Sequence, residues 1–279
     1  MHKRVLFEGF ELFRKPIKKC VFCAMTDIQI NDFHLSEIND RRLSGSSPVI
    51  LIIGGRGRGK SQTAKAVMRH LQKIPSGCVF SGTETSNPFY ADIVPPLFTF
   101  TTFDKKVIQD LISWQKKSSN RKDVFVLLDD LMYDPGFLRQ PLMRAIFLNG
   151  RHYRITLIIT TQYAIDVPPA LRGNVDYVFL MRENNLQTIS KLHKNFGGVF
   201  PNANVFHEAL KACTQNFGSL VLDNVKEKVH KYRVNMPDEQ VPFQMFSPHV
   251  WDYAKQHTSS EDKERDVVEG QECRLLLGR

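Results

Sequence analysis

The sequence has little cysteine: Cys20, Cys23, Cys78, Cys213 and Cys273 are its five in 279 residues. An odd number in so long a chain excludes a disulfide framework as what holds the fold together, so reduced thiols are expected. Cys20-x-x-Cys23 lacks a second pair at zinc spacing. His34 follows eleven residues later, and no fourth partner follows it, which argues against a structural zinc. There is no run of about 18 apolar residues, and hence no candidate membrane span. The segment from Met1 to Cys20 is basic and is interrupted by charges and Pro16. Without an apolar core it does not read as a secretory signal, and a reducing, soluble compartment is expected. No internal repeat is found.

Negative charge is also in deficit. Lys and Arg number 38 against 29 Asp and Glu, a formal net charge of +9. Such an excess suits a polyanionic partner, most simply nucleic acid, although a solvated basic surface would give the same number. The remaining composition, 42% hydrophobic and 24% charged, is that of an ordinary globular chain long enough for a large core.

Three parts can be distinguished. Residues 1–47 mix apolar and basic residues (Val5, Leu6, Phe7, Phe10, Leu12 and Phe13 among them) and end in the linker-like Ser44-Gly45-Ser46-Ser47-Pro48. This extension reads as an added strand, an assembly arm or a docking segment. Residues 48–235 alternate short β-branched apolar runs with helical patterns. Residues 236–279 begin with prolines and become densely charged, with disorder expected from about 259. The middle part predicts strands at Val49–Ile53, Cys78–Ser81, Val124–Leu128, Ile155–Ile159 and Tyr177–Met181. Helices are predicted over Lys60–Lys73, Asp104–Lys117, Phe137–Leu148 and Asn185–Phe196, and Ser219–Leu222 with His230–Val234 as an edge hairpin. This alternation predicts an α/β fold, a mainly parallel sheet covered by helices on both faces.

Gly54-Gly55-Arg56-Gly57-Arg58-Gly59-Lys60-Ser61 fits G-x-x-x-x-G-K-[ST] without a mismatch, between an apolar run and a helical pattern. Glycines let the backbone curl so that successive N–H groups face phosphate oxygens. The helix N-terminus adds unpaired donors and a favourable dipole. Lys60 is expected on the β- and γ-phosphates of ATP, Ser61 on Mg²⁺, and Gln62 beside the phosphates on the first turn. Downstream, Val124 to Leu128 runs into Asp129-Asp130. Two carboxylates closing a buried strand are costly unless they face a cation or water. Asp129 is the candidate for the Mg²⁺ shell, and Asp130 for orienting or deprotonating the attacking water. Ile155 to Thr161 is a third such strand and ends at Gln162, a candidate sensor of the γ-phosphate or its water. The carboxyl ends of parallel strands meet the ligand crevice.

Asn149-Gly150-Arg151-His152-Tyr153-Arg154, with the strand to Gln162 behind it, resembles the FtsK/HerA superfamily of DNA-pumping ATPases. Within it the poxvirus-type packaging ATPases of nucleocytoplasmic large DNA viruses look most similar. Four stretches carry that narrower likeness: Leu127-Leu128-Asp129-Asp130 with Met132-Tyr133-Asp134, Leu171 to Phe179, Arg182-Glu183-Asn184, and Ser219 to Asp223 with Tyr232. The resemblance spans about residues 48–235. It implies a RecA-like P-loop core, a pentameric or hexameric ring, sequence-independent double-stranded DNA as partner, and a capsid or portal component to dock on. The implied location is the virion and the host cytoplasm at viral assembly sites. It also implies an arginine finger that completes the neighbouring subunit's site. Arg151, ahead of the sensor strand, is the first candidate and Arg172 the alternative. Many members carry Asp-Glu where this chain has Asp129-Asp130.

DNA contact would draw on Lys105, Lys106, Lys116, Lys117, Arg121, Lys122, Arg139 and Arg144, since motors grip phosphates rather than bases. The competing readings are a cellular or plasmid translocase of the same superfamily, a nucleotide-dependent switch, and a small-molecule kinase. Translocases of that kind usually carry a membrane anchor or a large extra domain, and neither is visible. A guanine-specifying Asn-Lys-x-Asp motif and an arginine-rich lid are both missing from the sequence.

Overall fold

The computed structural model describes residues 28–84, 88–131, 137–163, 167–235 and 241–257. Among these residues, nine strands form one sheet. In chain order they are β1 (Ile30–Asp32), β2 (Val49–Ile53), β3 (Ser76–Ser81), β4 (Thr99–Phe100), β5 (Val124–Asp129), β6 (Ile155–Thr161), β7 (Tyr177–Leu180), β8 (Ser219–Asp223) and β9 (Lys228–Tyr232). Across the sheet the order is β1-β9-β8-β7-β2-β6-β5-β3-β4. β8 runs against its neighbours β7 and β9, and the remaining pairings are parallel. Every residue of β2, β3, β5, β6 and β7 is buried, so both faces of the central sheet are covered.

The helices are α1 (Ser36–Leu43), α2 (Lys60–His70), α3 (Lys105–Lys117), α4 (Pro141–Asn149), α5 (Pro169–Arg172), α6 (Leu186–Phe196), α7 (Ala203–Cys213) and α8 (Pro248–His257). α2 packs against β2 and β6, and α3 to α7 touch one another in succession. Local chemistry sets several boundaries. Asp104 caps α3 by accepting from the Lys106 N–H at 2.7 Å, and Asn185 caps α6 through the N–H groups of Gln187 and Thr188. The expected helix over Phe137–Leu148 divides into a 3₁₀ turn, Phe137–Arg139, and α4. Pro141 causes the break, because it has no N–H for a preceding turn and suits a first helical position. α2 stops at His70, short of the expected Lys73.

The hairpin of β8 and β9 does not end the sheet, because β1 pairs in parallel outside β9. Phe33, just after β1, is buried with its ring against Tyr177, Phe179 and His230. Arg41 pairs with Asp176 at 2.5 Å, and Asp176 also accepts from the Val49 N–H at 2.8 Å. Residues 30–43 thus pack on the same sheet as the core. Residues 241–257 do so as well: the Met245 N–H donates to the Ile93 carbonyl at 2.8 Å, and Phe246 stacks on Phe125. Cys78 is buried and Cys213 half-buried. Cys20, Cys23, the apolar pattern of the first 27 residues and the charged tail lie outside the described residues.

Candidate active site

Three parallel strands bring the expected residues to one end of the sheet. β6 lies between β2 and β5, with Ile53 opposite Thr161 and Asp129 opposite Thr160. The carboxyl ends of the three strands are therefore level, and Gly54, Asp130 and Gln162 leave them side by side. At Gly54 a Cβ would sit 2.5 Å from the Cβ of Met181, so glycine is required where the loop leaves β2 beside β7. Gly57 and Gly59 have φ of 71° and 93°, the left-handed conformation the curl needs. Gly55 and Arg58 are half-buried, Arg56 is exposed at the loop's outer bend, and Gln62 is exposed on the first turn of α2. Lys60 opens α2, and its ammonium folds back over the loop to the Gly55 carbonyl at 3.4 Å.

Asp129 is buried and accepts three hydrogen bonds. Ser61 Oγ donates at 3.3 Å and Tyr90 Oη at 2.9 Å, both to Oδ2, while Thr160 Oγ1 donates to Oδ1 at 2.5 Å. Thr160 Oγ1 also accepts from the Asp130 N–H at 3.0 Å, so one threonine ties both carboxylate residues to the neighbouring strand. Asp130 has φ of 53°. A non-glycine residue held there carries strain of about 1–2 kcal/mol, of the kind concentrated at working sites. Gln162 Nε2 donates to Asp130 Oδ1 at 3.1 Å and Oδ2 at 2.9 Å, which sets the direction of that carboxylate.

Two members of this cluster were not expected from the sequence. Tyr90 is fully buried, and burial first, then the Asp129 charge, push its phenol well above the ordinary range. It therefore stays protonated and donates to Asp129. Glu84 is also buried, at the end of the turn that follows β3. Its carboxyl accepts from the Tyr90 N–H at 2.8 Å and the Phe89 N–H at 3.2 Å. Burial raises the Glu84 pKa, the nearby Asp129 charge raises it further, and those backbone donors offset part of the effect. Neither residue belongs to a recognisable motif. Thr160 left a faint signal, as one of two polar residues closing an apolar strand.

The donor set fits a magnesium nucleotide. A hydroxyl and a carboxylate, both hard oxygen ligands, converge where the strand carrying one meets the helix carrying the other. Next to them lie a glycine-rich loop and a buried lysine. Mg²⁺ would be held by Ser61 and Asp129.

The two arginine candidates lie at the other end of the sheet. Arg151 precedes the start of β6, about 20 Å from its carboxyl end at about 3.3 Å per residue. Arg172 precedes the start of β7. Neither reaches its own chain's loop. Arg172 is engaged locally, donating to the Val167 carbonyl at 3.0 Å and to Asn195 Oδ1 at 2.8 Å. The guanidinium of Arg151 has no hydrogen-bond or ion-pair partner among the described residues. Of the basic residues considered for DNA, Arg121 donates to the carbonyls of Gln115 and His152, and Lys116 sits over the Tyr153 ring at 5.4 Å. Lys105, Lys106, Lys117, Arg139 and Arg144 are exposed. Met132, Tyr133 and Asp134 lie outside the described residues.

A strand ending at Gln162 between the strand that leads into the glycine-rich loop and the strand bearing the carboxylates, in a mainly parallel sheet, gives this chain a P-loop NTPase fold. The chain belongs to a family of viral proteins that includes protein 075L of Invertebrate iridescent virus 6 and protein 015R of Frog virus 3. The first is 36% identical over 213 residues, covering 72% of this chain and 82% of the relative. The second is 32% identical over 258 residues, covering 85% and 78%. Both are designated uncharacterized. Among solved structures, the genome packaging NTPase B204 from Sulfolobus turreted icosahedral virus 2 is similar in fold. Its complex with AMPPCP superposes with a TM-score of 0.51 at 14% identity, over 68% of this chain and 98% of that one. No family model matches the chain.

Proposed function

We propose that this chain is an ATP-driven motor that moves double-stranded viral DNA into a preformed capsid. One observation carries the catalytic half of the proposal. Ser61, Asp129, Asp130 and Gln162 come from three separate segments and are joined by hydrogen bonds next to the Gly54–Ser61 loop. The backbone N–H groups of the loop and the Lys60 ammonium bind the triphosphate and place its terminal phosphate toward the carboxylates. Bound Mg²⁺ would neutralise charge on the β- and γ-phosphate oxygens. Asp130 orients the attacking water or takes its proton, with its carboxylate aimed by the Gln162 amide. Tyr90 and Thr160 hold Asp129 in place.

The motor half is supported by the resemblance around Asn149 to Gln162, by kinship with proteins of large DNA viruses, and by the fold shared with a genome packaging NTPase. The formal charge of +9 suits a duplex gripped through its phosphates without regard to sequence. Ring assembly is supported by the position of Arg151, too far from its own loop and with no partner for its guanidinium among the described residues. As a finger it would enter the neighbouring subunit's site and stabilise charge on the transferred phosphoryl group. The ring would dock on a capsid or portal component at viral assembly sites.

Translocation can be read directly by displacement of a third DNA strand from a triplex. The assembled protein should strip the strand when ATP and Mg²⁺ are present, and Asp130→Asn should not. ATP hydrolysis on duplex DNA without strand displacement would remove the motor and leave an ATPase.

A further inference from the structure

Phe217 is the most exposed large hydrophobic residue among those described, at 69%. It lies in the turn between α7 and β8, where Asn216 and Phe217 have φ of 50° and 59°. Two successive non-glycine residues in the left-handed region are strained. Their surroundings hold them there. Thr214 Oγ1 donates to the Leu210 carbonyl at 2.6 Å, and the Gly218 N–H donates to the Gln215 carbonyl at 2.9 Å. A Cβ on Gly218 would lie 2.3 Å from the Cys213 carbonyl oxygen, so the turn is too tight for any residue but glycine there. A strained backbone that presents a bare aromatic ring to solvent has no rationale in packing.

Its place in the sheet supplies one. β8 is antiparallel to β7, with Leu220 opposite Leu180, so the start of β8 lies level with the carboxyl ends of β7 and β2. Phe217 Cδ1 is 3.9 Å from where a Cβ on Gly59 would sit, directly beside the phosphate loop. Asp129, Asp130 and Gln162 lie on the opposite side of β2, at the ends of β5 and β6. A nucleotide whose terminal phosphate points to those carboxylates extends its other end over β7 and β8.

We infer that Phe217 is the platform on which the purine base of the bound nucleoside triphosphate stacks. The inference rests on reading the Gly54–Ser61 loop as a triphosphate site and adds the subsite for the base. Stacking needs a π-face and little else, so one exposed ring suffices to orient a purine while discriminating weakly between adenine and guanine.

Calorimetric titration of the full chain with a non-hydrolysable ATP analogue, and separately with inorganic tripolyphosphate, tests the inference. Phe217→Ala is expected to weaken analogue binding by about ten-fold and leave tripolyphosphate binding unchanged. Phe217→Trp is expected to restore analogue affinity and to show indole quenching when the analogue is added but not tripolyphosphate. Unchanged analogue affinity in Phe217→Ala would overturn the platform while leaving the phosphate site standing, and equal losses for both ligands would overturn the platform by tracing the effect of Phe217 to the phosphate loop. A wild-type chain that binds neither ligand would overturn the phosphate site and the platform together.

Discussion

Asp129 accepts from Ser61, Tyr90 and Thr160, and these three partners differ in how far the sequence announces them. Ser61 is legible because phosphate chemistry dictates each position of its loop. Thr160 is half-legible, at the end of an apolar strand. Tyr90 is 39 residues upstream and reaches Asp129 through the packing of the segment after β3, which no short pattern encodes. Tyr90→Phe keeps the ring and removes one hydrogen bond to a carboxylate. ATP turnover at saturating Mg²⁺ should fall by about ten-fold, with little change in melting temperature. Glu84 makes a prediction in pH. Burial raises its carboxyl pKa, so the folded state holds its proton above the ordinary range and loses stability as pH rises through the raised value. Glu84→Gln should therefore melt higher than wild type at neutral pH, without nucleotide. The difference should shrink as pH falls through that value toward the ordinary carboxyl range. Parallel melting curves across pH would contradict this.

At the scale of elements, the apolar runs of β2, β5, β6 and β7 are legible because strands buried on both faces must be continuously apolar. β3 begins two residues before its apolar part, since Ser76 and Gly77 pair with Val124 and Phe125 by backbone alone. β1 is Ile-Asn-Asp, three residues without a hydrophobic pattern, so an added strand stands as one of three readings of residues 1–47 and nothing in the sequence gives its position. What anchors it is Phe33, one residue later, in an aromatic cluster that exists after the hairpin and β7 have come together. Phe33→Ala should cost about 3–5 kcal/mol and lower the melting temperature by about 6–20 °C. Thermal unfolding followed by circular dichroism measures this. A shift below about 2 °C would mean that β1 contributes little to the stability of the sheet. α7 also went unassigned in the sequence, although Asn202 caps it by accepting from the Val205 N–H at 3.0 Å.

On the scale of the whole molecule, the two ends of the sheet carry different sets of residues. The carboxyl ends hold the phosphate loop and the carboxylates, and the amino ends carry Arg151 and Arg172. A single copy cannot bring Arg151 to its own loop. Mixing tests whether a neighbour supplies it. Arg151→Ala and Lys60→Ala proteins should each lose about a thousand-fold or more in turnover. Mixed together they should recover a measurable fraction, because some interfaces pair an intact loop with an intact arginine. Mixtures no faster than their components would place the finger elsewhere or remove it.

In the proposed function the cluster around Asp129 and Asp130 couples ATP hydrolysis to duplex DNA. Steady-state phosphate release by the purified protein tests it most directly, in Mg²⁺, with and without random-sequence double-stranded DNA, at two salt concentrations, beside Asp130→Asn. DNA should stimulate turnover several-fold, the stimulation should weaken at the higher salt as phosphate contacts are lost, and Asp130→Asn should abolish turnover. Turnover indifferent to DNA in the assembled protein, or retained in full by Asp130→Asn, would contradict the proposed function.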